Sequence, residues 1–383
     1  MQFAFAEQDI LFRRQVRAWI AANKPAGLRP DDGEAMRAFD LGWQRSKYEG
    51  GWAGLAWPRE YGGLGLSAMQ QIIWYEECAR ARAPLEGCLS ICLNHAGPTI
   101  IAFGSEEQKA TYLPPILRGE VVWCQGFSEP GAGSDLAALR LRGEIRGESI
   151  ILNGQKIWTS HAHVADYQET LIRTGALTPK HKGLSWVIVD MKAPGITIRP
   201  IRTIAHNHHF CEVFYEDVEV PLANVVGAVD DGWRVGMSTL SFERGGLSAG
   251  RAAELRYLVE ELIELARETG GGEIDGDTAA QLARLRAEAA ALQSMVYETV
   301  FASADGPPGP EASIDYLYCG ELLQRIRLLS LEVLGPRALE AQGEAGRWTL
   351  PYLNDRYYLI AGGSAEIRRN IIAERVLGLP RSY

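Results

Sequence analysis

Two short stretches carry residues suited to a flat, phosphate-bearing ligand. The first is Trp123-Cys-Gln-Gly-Phe-Ser-Glu-Pro-Gly-Ala-Gly-Ser-Asp135. Val121, Val122 and Trp123 are β-branched or aromatic and predict a strand. Pro130 breaks it into a small-residue loop, Gly131 to Ser134. Glycine lets a ligand approach the backbone, and free N–H groups in such a loop suit phosphate oxygens. Ser128 and Ser134 add hydroxyls. An ordinary Gly-rich turn with a Ser cap fits the same residues, so the loop alone decides nothing. The second stretch is Leu152-Asn-Gly-Gln-Lys-Ile-Trp-Thr-Ser-His161. Asn153-Gly154 predicts a two-residue hairpin turn, with Trp158, Thr159 and Ser160 on the outgoing strand. An indole beside hydroxyls can pack on a flat ring and hydrogen-bond its edge. For a lone Trp, core packing is the commoner explanation.

Two other groups of residues invite a metal. His206-Asn-His-His209 places three histidines together, yet no matching carboxylate or cysteine cluster accompanies them. The six cysteines, Cys78, Cys88, Cys92, Cys124, Cys211 and Cys319, have no zinc spacing. They predict buried free thiols in a reducing compartment. With 383 residues and a net charge of −9, the chain can bury a sizeable core. That charge argues against nucleic acid or an anionic membrane as partner. An anionic small molecule needs only a local basic pocket. Met1 leads directly into Glu7, Asp9, Arg13 and Arg14 among apolar residues, which predicts no signal peptide and a cytoplasmic protein.

Hydrophobic spacing predicts three domains: residues 1–120 helical, 121–235 β, 236–383 helical. In the first, Phe5, Ile10, Phe12, Val16, Trp19 and Ile20 recur near helical spacing up to Lys24-Pro25. Met69 to Ala81 predicts another helix. Ser105-Glu-Glu-Gln108 reads as a capping box, with its helix stopping at Pro114-Pro115. Strands are expected at 149–152, 184–189, 196–198 and 213–215. Leu255, Leu258, Val259, Leu262, Ile263 and Ala266 then form an apolar helical stripe ended by Gly270-Gly-Gly272. Thr278-x-x-Gln281 reads as a second capping box. Gly306-Pro-Pro-Gly-Pro310 predicts a stiff linker, followed by helices at 312–334 and 366–376. Helices, then strands, then helices make an α+β chain.

Together the two ligand-suited stretches resemble the flavin-binding signature of the acyl-CoA dehydrogenases. Gly104-Ser-Glu-Glu-Gln-Lys109, Tyr112-Leu-Pro114 and the stretch from Gly363-Ser-Ala-Glu366 to Pro380 carry the same resemblance, in the family's order over nearly the whole chain. It implies an N-terminal helical domain, a middle antiparallel β-domain and a C-terminal four-helix bundle that forms a tetramer. It implies FAD, no metal, and α,β-dehydrogenation of an acyl-CoA, with electrons passed to an electron-transfer flavoprotein. Carried over by position, Gln125, Phe127, Ser128, Gly133 and Ser134 line the flavin. Trp158 packs beside its ring, Thr159 follows, and Ser160 approaches N5. Gly363, Ser364 and Glu366 approach the cofactor from the far end, although small and acidic residues suit a helix N-terminus anyway. Ser134 and Arg244 face the substrate, with a surface ion pair as the plain alternative for Arg244.

The chain departs from the family's commonest pattern where many members carry the catalytic Glu. That position is Gly362 here, and glycine cannot take a proton. Glu243, in Thr239-Leu-Ser-Phe-Glu-Arg-Gly245, is the expected base instead. Isovaleryl- and long-chain-specific members carry theirs at the matching position. Leu240 and Phe242 give it apolar surroundings, which raise a carboxyl pKa toward neutrality. A Glu near a helix start also has a purely structural explanation. Two other outcomes stay open: a non-catalytic subunit of a mixed oligomer, and an oxidase or monooxygenase on the same fold. The wording of the motifs is most similar to bacterial branches acting on bulky acyl-CoAs, sterol side chains included.

Overall fold

The computed structural model describes residues 6–242, 246–302 and 309–381. The chain packs as two compact units, one of Met1–Asn23, Ser67–Leu85 and Arg244–Tyr383, the other of Lys24–Leu66 and Glu86–Glu243. Helices occupy both ends of the sequence and a sheet its middle, which is the expected α+β arrangement. In chain order come α1 (Glu7–Asn23), α2 (Gly33–Glu49), α3 (Ala68–Ala81), α4 (Gly97–Phe103) and α5 (Glu106–Leu117). The strands follow: β1 (Trp123–Gly126), β2 (Arg142–Arg146), β3 (Ser149–Ser160), β4 (Tyr167–Arg173), β5 (Leu184–Asp190), β6 (Ile196–Ile201), β7 (Phe210–Pro221) and β8 (Val225–Val226). Last are α6 (Gly232–Phe242), α7 (Gly246–Thr269), α8 (Gly276–Ala302), α9 (Ala312–Leu334), α10 (Gly343–Asn354) and α11 (Ala365–Ile371).

In the first unit the apolar stripe of α7 is buried where the spacing predicts. Leu255, Val259, Leu262 and Ala266 pack with Leu282, Leu285, Leu292 and Val296 of α8, Leu322 and Ile326 of α9, and Ile72 of α3. Leu258 and Ile263 flank this core and are only partly covered. The helix opening α8 is capped differently from the expectation. Asp275 Oδ1 accepts from the backbone N–H of Asp277 (3.1 Å) and Thr278 (3.0 Å), so Thr278 lies inside the helix and Asp275 does the capping. An ionised carboxylate is a stronger acceptor than a hydroxyl and sits three residues nearer the first free N–H groups. The linker read at 306–310 lies mostly outside the described residues.

In the second unit the sheet runs β6-β7-β3-β2-β4-β5-β8, with β1 alongside β4. Most joins are antiparallel, while β1 enters parallel to β4. The capping box at Ser105 is present in full: Ser105 Oγ accepts from Gln108 N and Gln108 Oε1 from Ser105 N. The helix it opens does not stop at Pro114-Pro115. It runs one more turn to Leu117, because Leu113, Ile116 and Leu117 are buried and the proline carbonyls still accept, from Arg118 N and Glu120 N. The hairpin expected at Asn153-Gly154 lies elsewhere. The turn is at Gly147-Glu148 (Gly147 φ 62°), between paired Arg146 and Ser149. Asn153-Gly154 instead runs inside β3 beside a bulge. Asn153 reaches across to Asp217, its Nδ2 donating to Oδ1 (2.9 Å) and its Oδ1 accepting from Asp217 N (3.0 Å). Asp217 itself holds φ 49°. The extra residue is thus on the partner strand, and Asn-Gly serves a bulge and not a reversal.

Candidate active site

Both ligand-suited stretches lie in the second unit, and β3 brings them together. Ile157 N donates to Ser128 O (3.0 Å), and Lys156 Nζ donates to Phe127 O (3.0 Å). Lys156 is fully buried and is paired with Glu129, Nζ to Oε1 2.8 Å. Glu129 also accepts from Arg140 N (2.6 Å) and Leu141 N (2.8 Å). Burial pulls the Lys156 ammonium down to about 8 even with Glu129 opposing that shift. Sequence reading missed this pair. A lysine at an inward position of a strand pattern, facing a glutamate inside a glycine-rich motif, was the available signal.

A second bulge shapes the surface. Between Lys156 and Thr159, β3 spends one more residue than β7 does between Val213 and Cys211. Trp158 takes the strain with φ 60° and stands 57% exposed, its ring edge-on to Phe210 at 6.1 Å. Core packing is thereby excluded as the reason for this Trp. Ser160 is half-buried, and so is Ser128, while Gly133 and Ser134 are exposed. Phe127 and Thr159 turn the other way: both side chains are buried, so only their backbones can meet a ligand on the Trp158 side. Gly131 and Gly133 have no protein atom within 4 Å of where a Cβ would stand, and neither has positive φ. The protein's own packing does not require glycine there. A partner lying against the bare backbone accounts for both, and an exposed indole on a bulge fits a planar ring system.

Gln125 lies behind this surface on β1. Its Nε2 donates to Glu169 Oε1 on β4 (2.7 Å) and lies 3.0 Å from His95 Nδ1. Glu169 is fully buried and opposite Gln125 in the parallel register. Neither Glu169 nor His95 was singled out from the sequence, since the pairing is made only by the sheet.

The histidine loop is also in this unit and gathers on a carboxylate. Asp32, the N-cap of α2, lies 2.8 Å from His163 Nε2 and 3.0 Å from His208 Nδ1, and accepts from His208 N (2.9 Å). His161 and His209 pack ring against ring at 4.2 Å. Burial lowers both, His209 to about 4. Among the described residues no group of three or more His, Cys, Asp or Glu is placed to hold a metal ion.

In the first unit, Gly362 and Gly363 take φ 63° and 105° ahead of α11. Ser364 is the cap, its Oγ accepting from Ile367 N at 3.4 Å. Glu366 is exposed in the first turn. Buried Arg368 folds back on the glycines, donating to Gly363 O (2.9 Å) and Gly362 O (2.6 Å) with its guanidinium 3.5 Å over the Tyr316 ring. Glu243 and Arg244 lie outside the described residues.

Three family models match in chain order: the acyl-CoA dehydrogenase N-terminal domain over residues 6–120, the middle domain over 124–218 and the C-terminal domain over 230–377. Acyl-CoA dehydrogenase IpdE1 of Mycobacterium tuberculosis is 40% identical, with 97% of each chain covered. Among solved structures, the Tcur3481-Tcur3483 steroid ACAD aligns with a TM-score of 0.88 at 31% identity, covering all of both chains. The ChsE4-ChsE5 complex from Mycobacterium tuberculosis aligns at 0.86 and 34%, again over both full chains. Three domain matches, full-length relatives and the shared fold together place this chain in the acyl-CoA dehydrogenase family.

Proposed function

We propose that this chain is an FAD-dependent acyl-CoA dehydrogenase that converts an acyl-CoA thioester to its 2-enoyl-CoA. The observation that carries the reading is the exposed Trp158 on its bulge, bonded through β3 to the bare backbone of Gly131 to Ser134. When bound, FAD supplies the acceptor for the hydride leaving the β-carbon. The residues that would hold it are Ser128, Ser160, Trp158 and the 131–134 backbone, with Gln125 fixed behind them by Glu169 and His95. Gly363, Ser364 and Glu366 complete the cofactor's surroundings in this reading. Glu243 takes the α-proton, and Arg244 faces the substrate. Electrons leave to an electron-transfer flavoprotein. The acyl group is bulky and ring-bearing, a reading supported by the likeness to a solved relative that is called a steroid ACAD.

A second reading has a specific observation behind it. The usual base position is Gly362, whose carbonyl is taken by Arg368, and two of the solved relatives are named as pairs of chains. In that reading the chain is one half of a heteromeric enzyme. Anaerobic titration with a panel of acyl-CoAs, following loss of flavin absorbance, tests both. Bleaching by the chain alone supports a complete enzyme, and bleaching only with a homologous second subunit supports the half-site role. Glu243→Gln should keep its flavin and lose reduction by more than about a thousandfold, within the range for removing a catalytic proton acceptor. Near-normal reduction in that variant would move the base elsewhere.

A further inference from the structure

We propose that His209 and Phe210 position the Trp158 indole for the flavin, and that proton uptake by the His161–His209 pair lets the ring go, so that the chain loosens its hold on flavin in acid. The proposal rests on the reading of Trp158 as a flavin contact and adds the residues that keep it in place. Trp158 needs such support. It is a bulky residue at φ 60°, where a Cβ is sterically disfavoured, and it is 57% exposed. Its own burial therefore does little to fix the ring.

A row of rings stands behind it. Trp158 meets Phe210 edge-on at 6.1 Å, Phe210 meets His209 at 4.6 Å, and His209 meets His161 at 4.2 Å. The row is tied to the bulge itself. Directly after the register shift, Thr159 pairs with Cys211 and Ser160 with Phe210, and His161 N donates to His209 O (2.8 Å). Its far end is anchored at the N-cap of α2. Asp32 accepts from the N–H of His208, the residue before His209 (2.9 Å), and lies 2.8 Å from His163 Nε2. A shift of His209 therefore carries Phe210 with it, and the indole leans on Phe210.

The two imidazoles are badly placed to carry charge. His161 is 9% exposed, and its Nδ1 is buried with no hydrogen-bond partner among the described residues. A proton there would be desolvated and unmatched. The charged and titratable groups around the pair are Arg29, His163, His208, Asp32 and Cys211. Arg29, bound to Asp40 (2.6 Å), and His163 oppose added positive charge. Asp32 favours it at His209, but that carboxylate is shared by His163, His208 and Gly33 N–H. The Cys211 thiol, 3.4 Å from His163 Nδ1, is pushed up by burial to about 11 and stays neutral. Burial thus keeps folded His209 near 4, below the 6.5 of an imidazole in water. A form with the row broken and these rings in water binds more protons, so the held form is fully favoured above about 6.5 and loses ground as pH falls toward 4.

The test follows flavin fluorescence of the FAD-loaded protein, with whatever partner subunit it purifies with, between about pH 7.5 and 5, a range that spans the titration of an ordinary histidine. Flavin affinity should fall about two- to tenfold, the worth of one aromatic contact, while far-UV circular dichroism stays unchanged. His209→Phe keeps a ring and removes the proton site, so it should hold flavin equally at both ends of the range. His209→Gln removes the ring and should hold it weakly at both. A second readout needs no flavin. In protein labelled with 5-fluorotryptophan, the Trp158 resonance, assigned by Trp158→Phe, should shift over the same range in the wild type and stay fixed in His209→Phe. An unmoved Trp158 resonance, or a pH dependence of flavin affinity that survives in His209→Phe, overturns the proposal. Wild-type protein whose Trp158 resonance titrates but which takes up no flavin at any pH would sink the flavin reading and leave the support of the indole standing.

Discussion

Lys156 is a buried ammonium that holds Glu129 and the Phe127 carbonyl at once, so its removal separates stability from surface chemistry. Lys156→Met leaves Glu129 buried without its cation. Breaking such a pair from one side destabilises by about 3–5 kcal/mol, and chemical denaturation should report a fall of that size. Trp158→Ala should behave in the opposite way. The ring is exposed and contributes little to packing, so the flavin-free protein should change by less than about 0.5 kcal/mol. Flavin retention should weaken by about 0.5–1.5 kcal/mol, the worth of an aromatic contact beyond its area. Equal losses of stability and flavin in Trp158→Ala would return this Trp to a structural role. These two residues also mark what the sequence could say. The residue types of the motif were legible, and so was the family that carries them. The direction each side chain faces was not, because the bulge that exposes Trp158 and buries Thr159 depends on β7, more than fifty positions away.

At the scale of elements, local chemistry was readable and long-range burial was not. The Ser105 capping box spans only four residues and is present as expected. The helix beyond Pro114 depends on burial of Ile116 and Leu117, which no local rule supplies. Strand β4 escaped notice because Gln168, Glu169 and Thr170 are polar, yet all three are fully buried. Partners from other strands complete them: Tyr215 of β7 donates to Gln168, which also accepts from Thr170 two residues along, and Gln125 of β1 donates to Glu169. The junction of β3, the histidine loop and α2 yields a pH prediction. His161 and His209 are held neutral by burial, with Asp32, His163, His208 and Arg29 around them. An unfolded histidine takes its proton near pH 6.5, and folded His209 only near 4. Unfolding therefore gains protons first as pH falls. The stability from this pair is complete above about 6.5 and declines toward 4. The Asp32 carboxylate lies lower than its usual range despite burial, with Gly33 N–H and His163 among the groups holding it there, so its contribution is lost only at still lower pH. The melting temperature should fall between pH 6.5 and 4.5. His209→Phe keeps the ring contacts and should flatten that slope; an unchanged slope would assign the acid sensitivity to other groups.

For the molecule as a whole, no described helix is long and apolar enough to cross a membrane. The first unit leaves apolar side chains along a groove between α7 and α8, with Ile263, Ile274, Ala279, Leu282, Ala283 and Ala287 among its walls. Exposed apolar surface of this kind marks association, and the family reading expects a tetramer. Light scattering should report four chains, as this chain alone or as two copies with two of a homologous subunit. A stable monomer at micromolar concentration that still reduces its flavin would contradict it.

The staple between β3 and the loop after β1 also bears on the order of events in making the enzyme. Ile157 N to Ser128 O, Lys156 to Phe127 O and Lys156 to Glu129 are all bonds within the polypeptide. None of them involves a ligand atom. The entropy of ordering these segments is then spent in folding and not at the moment of capture. A cofactor arriving at this face would meet a finished wall, so its uptake would be governed by encounter and orientation and not by a slow rearrangement.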